Sequence, residues 1–291
     1  MALIEAIIFA GITSILVGRT YSRHDIHFPS SECNGDQRNF FTQGNATVFC
    51  GSPKALELTL DTANSAYSLK ENSGRALWKK KFRVYHGTNI SSFNTSFVFN
   101  IRLMNGSGGE GLAFIITSNE YMPINSYGPW LGLFNASTNG TRTSKVLAVE
   151  FDTSKSPETN DPDGNHVGIN VNGINSEISV SLGQDKINLK GGYDIRSWIL
   201  YDGKTKKLDV HVANESDPMP SKPVVSSIID LCSGVLEEEA YFGFSASTGK
   251  ETKLNCVKSW NFTIRESEPS QNRWALISGA IIRCHQWRIG F

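Results

Sequence analysis

The sequence predicts an all-β sandwich or barrel. Short apolar runs recur between turn residues from His27 onward, no stretch holds a long helical period, and the turns are rich in Gly and Asn. Many short strands joined this way belong to sheet-on-sheet folds. Taken in order, Phe97, Phe99 and Ile101 alternate with Val98 and Asn100, as in a strand buried on one face. Gly111–Thr117, GLAFIIT, is apolar enough to be covered on both faces. Leu131–Phe134 and Lys145–Thr153 follow as strands. Further on, Trp198–Tyr201 and Leu208–Val212 bracket DGKTKK, a hairpin signal around Asp202-Gly203. Tyr241–Ser247 and Cys256–Ile264 close the series, and no internal repeat is present.

With 291 residues, 39% hydrophobic, the chain suits one large β domain or two small ones, and it can bury a core without help from disulfides. Net charge is formally zero and no basic run occurs, which removes the electrostatic footprint of a nucleic-acid binder. Residues 1–22 read as a secretory signal: Ala6 to Gly18 is apolar but short for a membrane span, with cleavage expected between Gly18 and Ser22. Eight N-x-S/T sequons, at Asn45, Asn89, Asn94, Asn105, Asn135, Asn139, Asn214 and Asn261, favour a glycosylated extracellular protein. Five cysteines fit an oxidising compartment. Cys33 with Cys50 and Cys232 with Cys256 are candidate pairs, leaving Cys284, although spacing does not fix connectivity.

The densest chemistry lies between Ala148 and Asn172, AVEFDTSKSPETNDPDGNHVGINVN. Glu150 and Asp152 stand two apart in an apolar run, so a strand points both carboxylates to one face, roughly 6.6 Å apart along the backbone. Unpaired, they cannot both face an apolar core. Ser156, Asn160, Asp161 and Asp163 follow in a loop, and His166 opens the next strand. Oxygen ligands suit a hard ion such as Ca2+, and a set including His166 suits a transition ion such as Mn2+. The plainer alternative is a polar strand end, an acidic turn and a hydrogen-bonded histidine.

This stretch resembles the metal loop of legume-type (L-type) lectins, and NDPDGNHVGI is most similar to the lectin ectodomains of plant L-type lectin receptor kinases. The similarity runs from about His27 to Arg265 through GRALWKKKFRVY, SFNTSFVFNI, GEGLAFIIT, LGLFN, VEFDT, HVGINVN, GFSASTG and NCVKSW. It implies a concanavalin-like jelly-roll sandwich over residues 23–265, with a linker and short apolar tail over 266–291. By the same resemblance, Glu150, Asp152, Asp161 and His166 hold the transition ion. Asp152, the Ser154 carbonyl, the Ser156 side chain and Asp161 hold calcium, and Ser176 orients a metal-bound water. The ions would brace the loop, so that ligand binding need not supply its ordering entropy.

The sugar-contacting positions depart from the family pattern. Glu110 stands for the Asp that accepts sugar hydroxyls, and Pro129 for a Gly whose N–H donates, a donor proline lacks. Ser156 replaces the Asn shared by calcium and sugar, which weakens the calcium site. An aromatic position is Ser154, and Trp130 is either a substitute stacking surface or a core residue. Lys250 and Glu251 fall on the rim that tunes specificity.

A glycoside hydrolase on a similar sandwich needs two carboxyls flanking the scissile bond. In one jelly-roll group the acid lies three residues after the strand Asp, where this chain has Lys155, so binding rather than catalysis is expected. Glycans are the expected partners; a homodimer and a plasma-membrane receptor complex are further assemblies compatible with the resemblance. Trp274–Ile282 is apolar for too few residues to span a bilayer, and no kinase loop is present in the sequence. A truncated relative, secreted or at the outer face of the plasma membrane, is therefore expected. An interaction module with a degenerate sugar site, binding protein or apolar ligands, is the alternative.

Overall fold

The structure is a computed structural model and describes residues 21–60, 70–105, 109–156, 159–249 and 252–267. With strands numbered in chain order, one sheet runs β16 (Val225–Ile228), β15 (Lys207–Asn214), β14 (Ile195–Asp202), β9 (Ser92–Asn105), β18 (Thr252–Ser267), β4 (Ala55–Glu57), β3 (Thr47–Phe49), with β1 (Tyr21–Phe28) also on β18. We call this the back sheet. The front sheet runs β13 (Ser176–Ser181), β12 (His166–Val171), β11 (Val146–Asp152), β10 (Gly111–Thr117), β17 (Glu239–Ser247), β5 (Ser73–Trp78), β2 (Phe40–Gly44), with β6 (Phe82–Arg83) also on β17. A small ribbon pairs β7 (Tyr85–His86) with β8 (Asn89–Ile90). Among the described residues the one α-helix, α1 (Cys33–Asn39), is short, in keeping with the missing helical period.

Alternation explains the main core. On β14 and β18, Ile195, Ser197, Ile199, Tyr201, Trp260, Phe262 and Ile264 face the front sheet, while the residues alternating with them face outward. Trp260 is fully buried against Phe40, Trp78, Phe244 and Phe262, and its Nε1–H donates to Thr95 Oγ1 at 2.8 Å. A second cluster, including Ala113, Ile115, Leu131, Leu133, Phe134 and Ala148, covers the other face of the front sheet. Hence β10 and β11 are buried on both sides along their whole length.

Three local expectations need correction. Leu131–Phe134 is a turn, not a strand: Leu131 and Gly132 take positive φ of 51° and 69°, and the buried Arg75 guanidinium donates to the Gly132 and Leu133 carbonyls. On β9, Val98 and Asn100 are buried as well as Phe97, Phe99 and Ile101, and Asn100 Nδ2 donates to the Gly192 carbonyl and Asp194 Oδ1 of the segment before β14. Cys33 and Cys50 are bonded, but Cys232 and Cys256 are free thiols. Cys256 is buried in β18, which raises its pKa to about 11, whereas Cys232 donates to Asp230 Oδ1 in the turn after β16. The hairpin forms with the ladder Asp202↔Lys207, so its turn is Gly203–Lys206. β18 extends to Ser267, paired with Tyr21, and so takes in the first two residues of the stretch read as a linker. β1 likewise takes in Tyr21 and Ser22, the last two residues of the stretch read as a secretory signal; residues 1–20 and those beyond 267 lie outside the described residues.

Trp260→Ala is expected to lower unfolding free energy by about 3–5 kcal/mol, measured by urea denaturation, since it empties the contact between the sheets.

Candidate functional site

Antiparallel register gathers the acidic stretch at one end of the front sheet. Asp152 faces His166 across β11 and β12, and Glu150 faces Gly168. The 153–165 loop then returns Asp161 to the same place, so that donor atoms of Asp152, Asp161 and His166 all lie within 4.8 Å of one another. Glu150, Asp152 and His166 are buried. His166 Nδ1 lies 2.7 Å from the Asp163 carbonyl and, as the protonated nitrogen, donates to it. That tautomer turns the Nε2 lone pair inward, where Nε2 is buried without a hydrogen bond, 3.7 Å from Glu150 Oε1 and 3.6 Å from Asp161 Oδ1. Both gaps are too long for hydrogen bonds.

Each loop carboxylate anchors backbone with one oxygen. Asp152 Oδ1 accepts from Ser154 N–H at 2.6 Å, and Asp161 Oδ2 from Ser156 N–H at 2.8 Å. Ser176 Oγ donates to Glu150 Oε1 and accepts from Asn170 Nδ2. Asp163 is turned to other work, accepting from Asn165 N–H and Ser181 Oγ, so it shapes the turn instead of joining the cluster. Burial first, and the charge of Glu150 second, push the Asp152 carboxyl well above its usual range. For His166, burial favours the neutral ring, but the negative charge of the surrounding Glu150, Asp152 and Asp161 carboxylates outweighs it and raises the pKa to about 9.

A divalent cation fits this donor set. Donors around one ion at about 2.0–2.2 Å stand roughly 3–4 Å from each other, the spacing His166 Nε2 has to its two carboxylates. Three carboxylates and an imidazole suit a transition ion. For a calcium ion the set is thinner: Asp152, Asp161, the Ser154 carbonyl and the short Ser156 hydroxyl. Gly168 is the residue sequence reasoning passed over. A Cβ there would stand 2.2 Å from Glu150 Oε1 and 2.3 Å from Ser176 Oγ. A glycine inside an apolar strand is a signal of such close approach.

Loops converge beside the cluster. The Glu110 backbone is pinned to Thr153, whose N–H donates to its carbonyl, and Gly111 pairs with Asp152. The Glu110 carboxylate is largely buried beneath Gly249, where a Cβ would come within 2.3 Å of Oε1. Pro129 is exposed in a short 3-10 turn, and Gly128 N–H is already donated to the Thr248 carbonyl. Trp130 is half-buried and packs on the second apolar cluster. Ser154 and Ser156 are half-buried; Lys250 and Glu251 lie outside the described residues.

Comparisons with known proteins agree with this geometry. The legume lectin domain family matches residues 25–277. A probable L-type lectin-domain containing receptor kinase S.5 of Arabidopsis thaliana is 44% identical over 210 residues, which is 72% of this chain and 32% of that protein. The receptor kinase IV.2 of the same plant is 37% identical over 237 residues, 78% of this chain and 34% of its own length. The chain therefore spans about a third of the length of the curated relatives it matches. Among solved structures, lectin UEA-II complexed with galactose aligns with TM-score 0.69 and 29% identity, covering 83% of this chain and 98% of that one. The metal-free form of lectin I-B4 from Griffonia simplicifolia gives 0.70 and 27%, covering 83% and 99%.

Two outcomes follow from the cluster. Because the folded-state pKa of His166 lies above its ordinary 6.5, its stabilising contribution is complete below that pH and lost as pH rises through about 9. Asp152, also raised, acts in the same direction. Urea midpoints of chelated protein should accordingly fall between pH 6.5 and 9, and added Mn2+ should oppose the fall, since ions bind deprotonated ligands; a flat metal-free profile would contradict this. Gly168→Ala should destabilise by about 1–3 kcal/mol in the same assay and weaken ion uptake.

Proposed function

The chain belongs to the legume lectin family, whose lectin domain is a non-enzymatic carbohydrate-binding fold that receptor-kinase relatives join to a separate kinase domain, and from that premise we propose that it is an extracellular glycan-binding protein with a metal-braced sugar site. The single observation that carries this is the buried, unbonded His166 Nε2 set against the carboxylates of Glu150 and Asp161. A polar strand end with a merely hydrogen-bonded histidine would not leave that nitrogen bare in the interior.

In this reading Glu150, Asp152, Asp161 and His166 hold Mn2+, while Asp152, Asp161, Ser154 and Ser156 hold Ca2+ more weakly. The ions neutralise the buried charge and fix the 153–165 loop. Glu110 then accepts sugar hydroxyls at the rim, Ser156 supplies a hydroxyl contact, Pro129 and Trp130 form an apolar wall, and Lys250 and Glu251 tune selectivity. The protein acts in secreted form or at the outer face of the plasma membrane, in a receptor complex, in recognition at the cell surface or in defence. Its similarity to the lectin region of receptor kinases supports that location.

A second reading, a lectin-like module for protein or apolar ligands, is favoured by one feature. Gly128 N–H is spent on Thr248, and Pro129 beside it has no N–H to offer. Each missing sugar hydrogen bond removes about 0.5–1.5 kcal/mol.

A glycan array probed with the secreted chain in Ca2+ and Mn2+ should show binding that disappears in chelator and falls about tenfold or more in Glu110→Gln, the loss of a charged acceptor. Folded, ion-loaded protein that binds no glycan would favour the second reading.

A further inference from the structure

The front sheet carries a buried guanidinium that neither the cation cluster nor the sugar rim uses. On β5, Ala76 faces the aromatic core and Leu77 the second cluster, so Arg75 rises on the outer face under the loop residues. It is 1% exposed, it forms no ion pair among the described residues, and burial alone pulls its pKa down to about 9. At neutral pH it therefore stays charged. Nη1 donates to the Tyr121 carbonyl at 3.3 Å and Nη2 to the Gly132 and Leu133 carbonyls at 2.6 and 3.3 Å, but Nε–H is buried without an acceptor. Carbonyl dipoles offset only part of a buried charge, and an unpaired one remains unfavourable.

Arg75 lines a cavity of about 340 Å³ walled by Met122, Leu133 and Val146, with Tyr121 and Thr143 exposed at its edge. That is the size of a small-molecule site. Its wall is fixed, because Gln43 on β2 donates to the Glu120 carbonyl and accepts from Met122 N–H. Other polar groups of the lining are already engaged: Asn119 Nδ2 donates to the Thr143 and Ser144 carbonyls, Ser144 Oγ to the Thr138 carbonyl, and Glu120 Oε2 accepts from the Tyr241 hydroxyl. The cavity also reaches Thr117 and Val146, which pair at the opposite end of β10 and β11 from Gly111 and Asp152. It thus lies roughly 20 Å along the strands from the cation cluster, at ~3.3 Å per residue.

We propose that this cavity binds a small organic monocarboxylate, with the carboxylate on Arg75 Nε–H and the apolar body against Met122, Leu133 and Val146. The site is separate from the sugar rim and does not depend on the sugar reading. A carboxylate supplies the missing counter-charge through a charge-assisted hydrogen bond. One guanidinium with the Glu120 carboxylate on the same lining suits a single negative charge and disfavours a dianion.

The test titrates the full folded chain, loaded with Ca2+ and Mn2+, with hexanoate, hexanamide and acetate, followed by backbone NMR shifts. Hexanoate should bind saturably, with shifts centred on Arg75, Met122 and Leu133. Hexanamide lacks the charge and acetate the apolar body, and each should bind at least about tenfold more weakly. Thr143→Trp, at an exposed position, should obstruct the cavity and weaken hexanoate about tenfold or more at an unchanged urea midpoint. Arg75→Lys keeps a charge without Nε–H and should erase most of the preference for acid over amide. No saturable hexanoate binding by the folded chain would overturn the proposal, because water alone would then answer the guanidinium. Hexanamide bound as tightly as hexanoate would overturn it too, as would shifts centred on Asp152 and His166 instead. The comparison of the three ligands needs no variant, so a misfolded substitution does not shelter the proposal.

Discussion

Three carboxylates and one imidazole are drawn to one end of the front sheet, with Glu150, Asp152 and His166 out of reach of water, and the rest of the site depends on how that charge is balanced. A buried carboxylate without a counter-charge is strongly unfavourable. Protonation offers a partial answer, seen in the raised pKa values of Asp152 and His166. A divalent ion offers a fuller one, because it can meet several carboxylates at once and accepts the Nε2 lone pair that no hydrogen bond uses. The same carboxylates hold Ser154 and Ser156 by their backbone N–H groups, so balancing the charge and ordering the loop are one event.

The fold makes this arrangement affordable by burying the front sheet twice, against the aromatic core on one face and under the turn and loop residues on the other. That buries β11 to its last residue, Asp152, and β12 from its first, His166, where the cluster begins. Loops from β10, β11 and β17 meet at this end, which brings Glu110, Pro129 and Gly249 beside the braced segment. The back sheet, by contrast, keeps part of one face toward solvent, where the alternation of β14 is visible residue by residue.

Much of this was legible in the sequence, for physical reasons. An apolar run between turn residues is a local signal, so β9, β10, β14 and β17 were readable, and the Glu150–Asp152 spacing put both carboxylates on one face. Asp161 and His166 were placed by loop length and by resemblance. What escaped depended on tertiary contact. Leu131–Phe134 is apolar because it roofs a sheet, not because it joins one, and its backbone is set by the distant Arg75. Cys232 and Cys256 flank the strand now seen as β17 and so read as a candidate pair, yet both are free, one in a turn and the other inside a strand. Asp163 was indistinguishable from Asp161 by type alone, and only the fold shows that one joins the cluster while the other holds the turn. The need for glycine at position 168 arises from Glu150 and Ser176 meeting over it; a glycine inside an apolar strand signals a close approach but does not say what approaches.

The central claim is that the cluster is a cation site, and it is tested most directly by calorimetric titration of the chelator-stripped chain with Mn2+ and then Ca2+, beside a His166→Ala variant. Saturable Mn2+ uptake, with weaker Ca2+ uptake dependent on it and both impaired in the variant, is the predicted result. Absence of uptake by a folded chain, or uptake unchanged without the imidazole, would contradict the account.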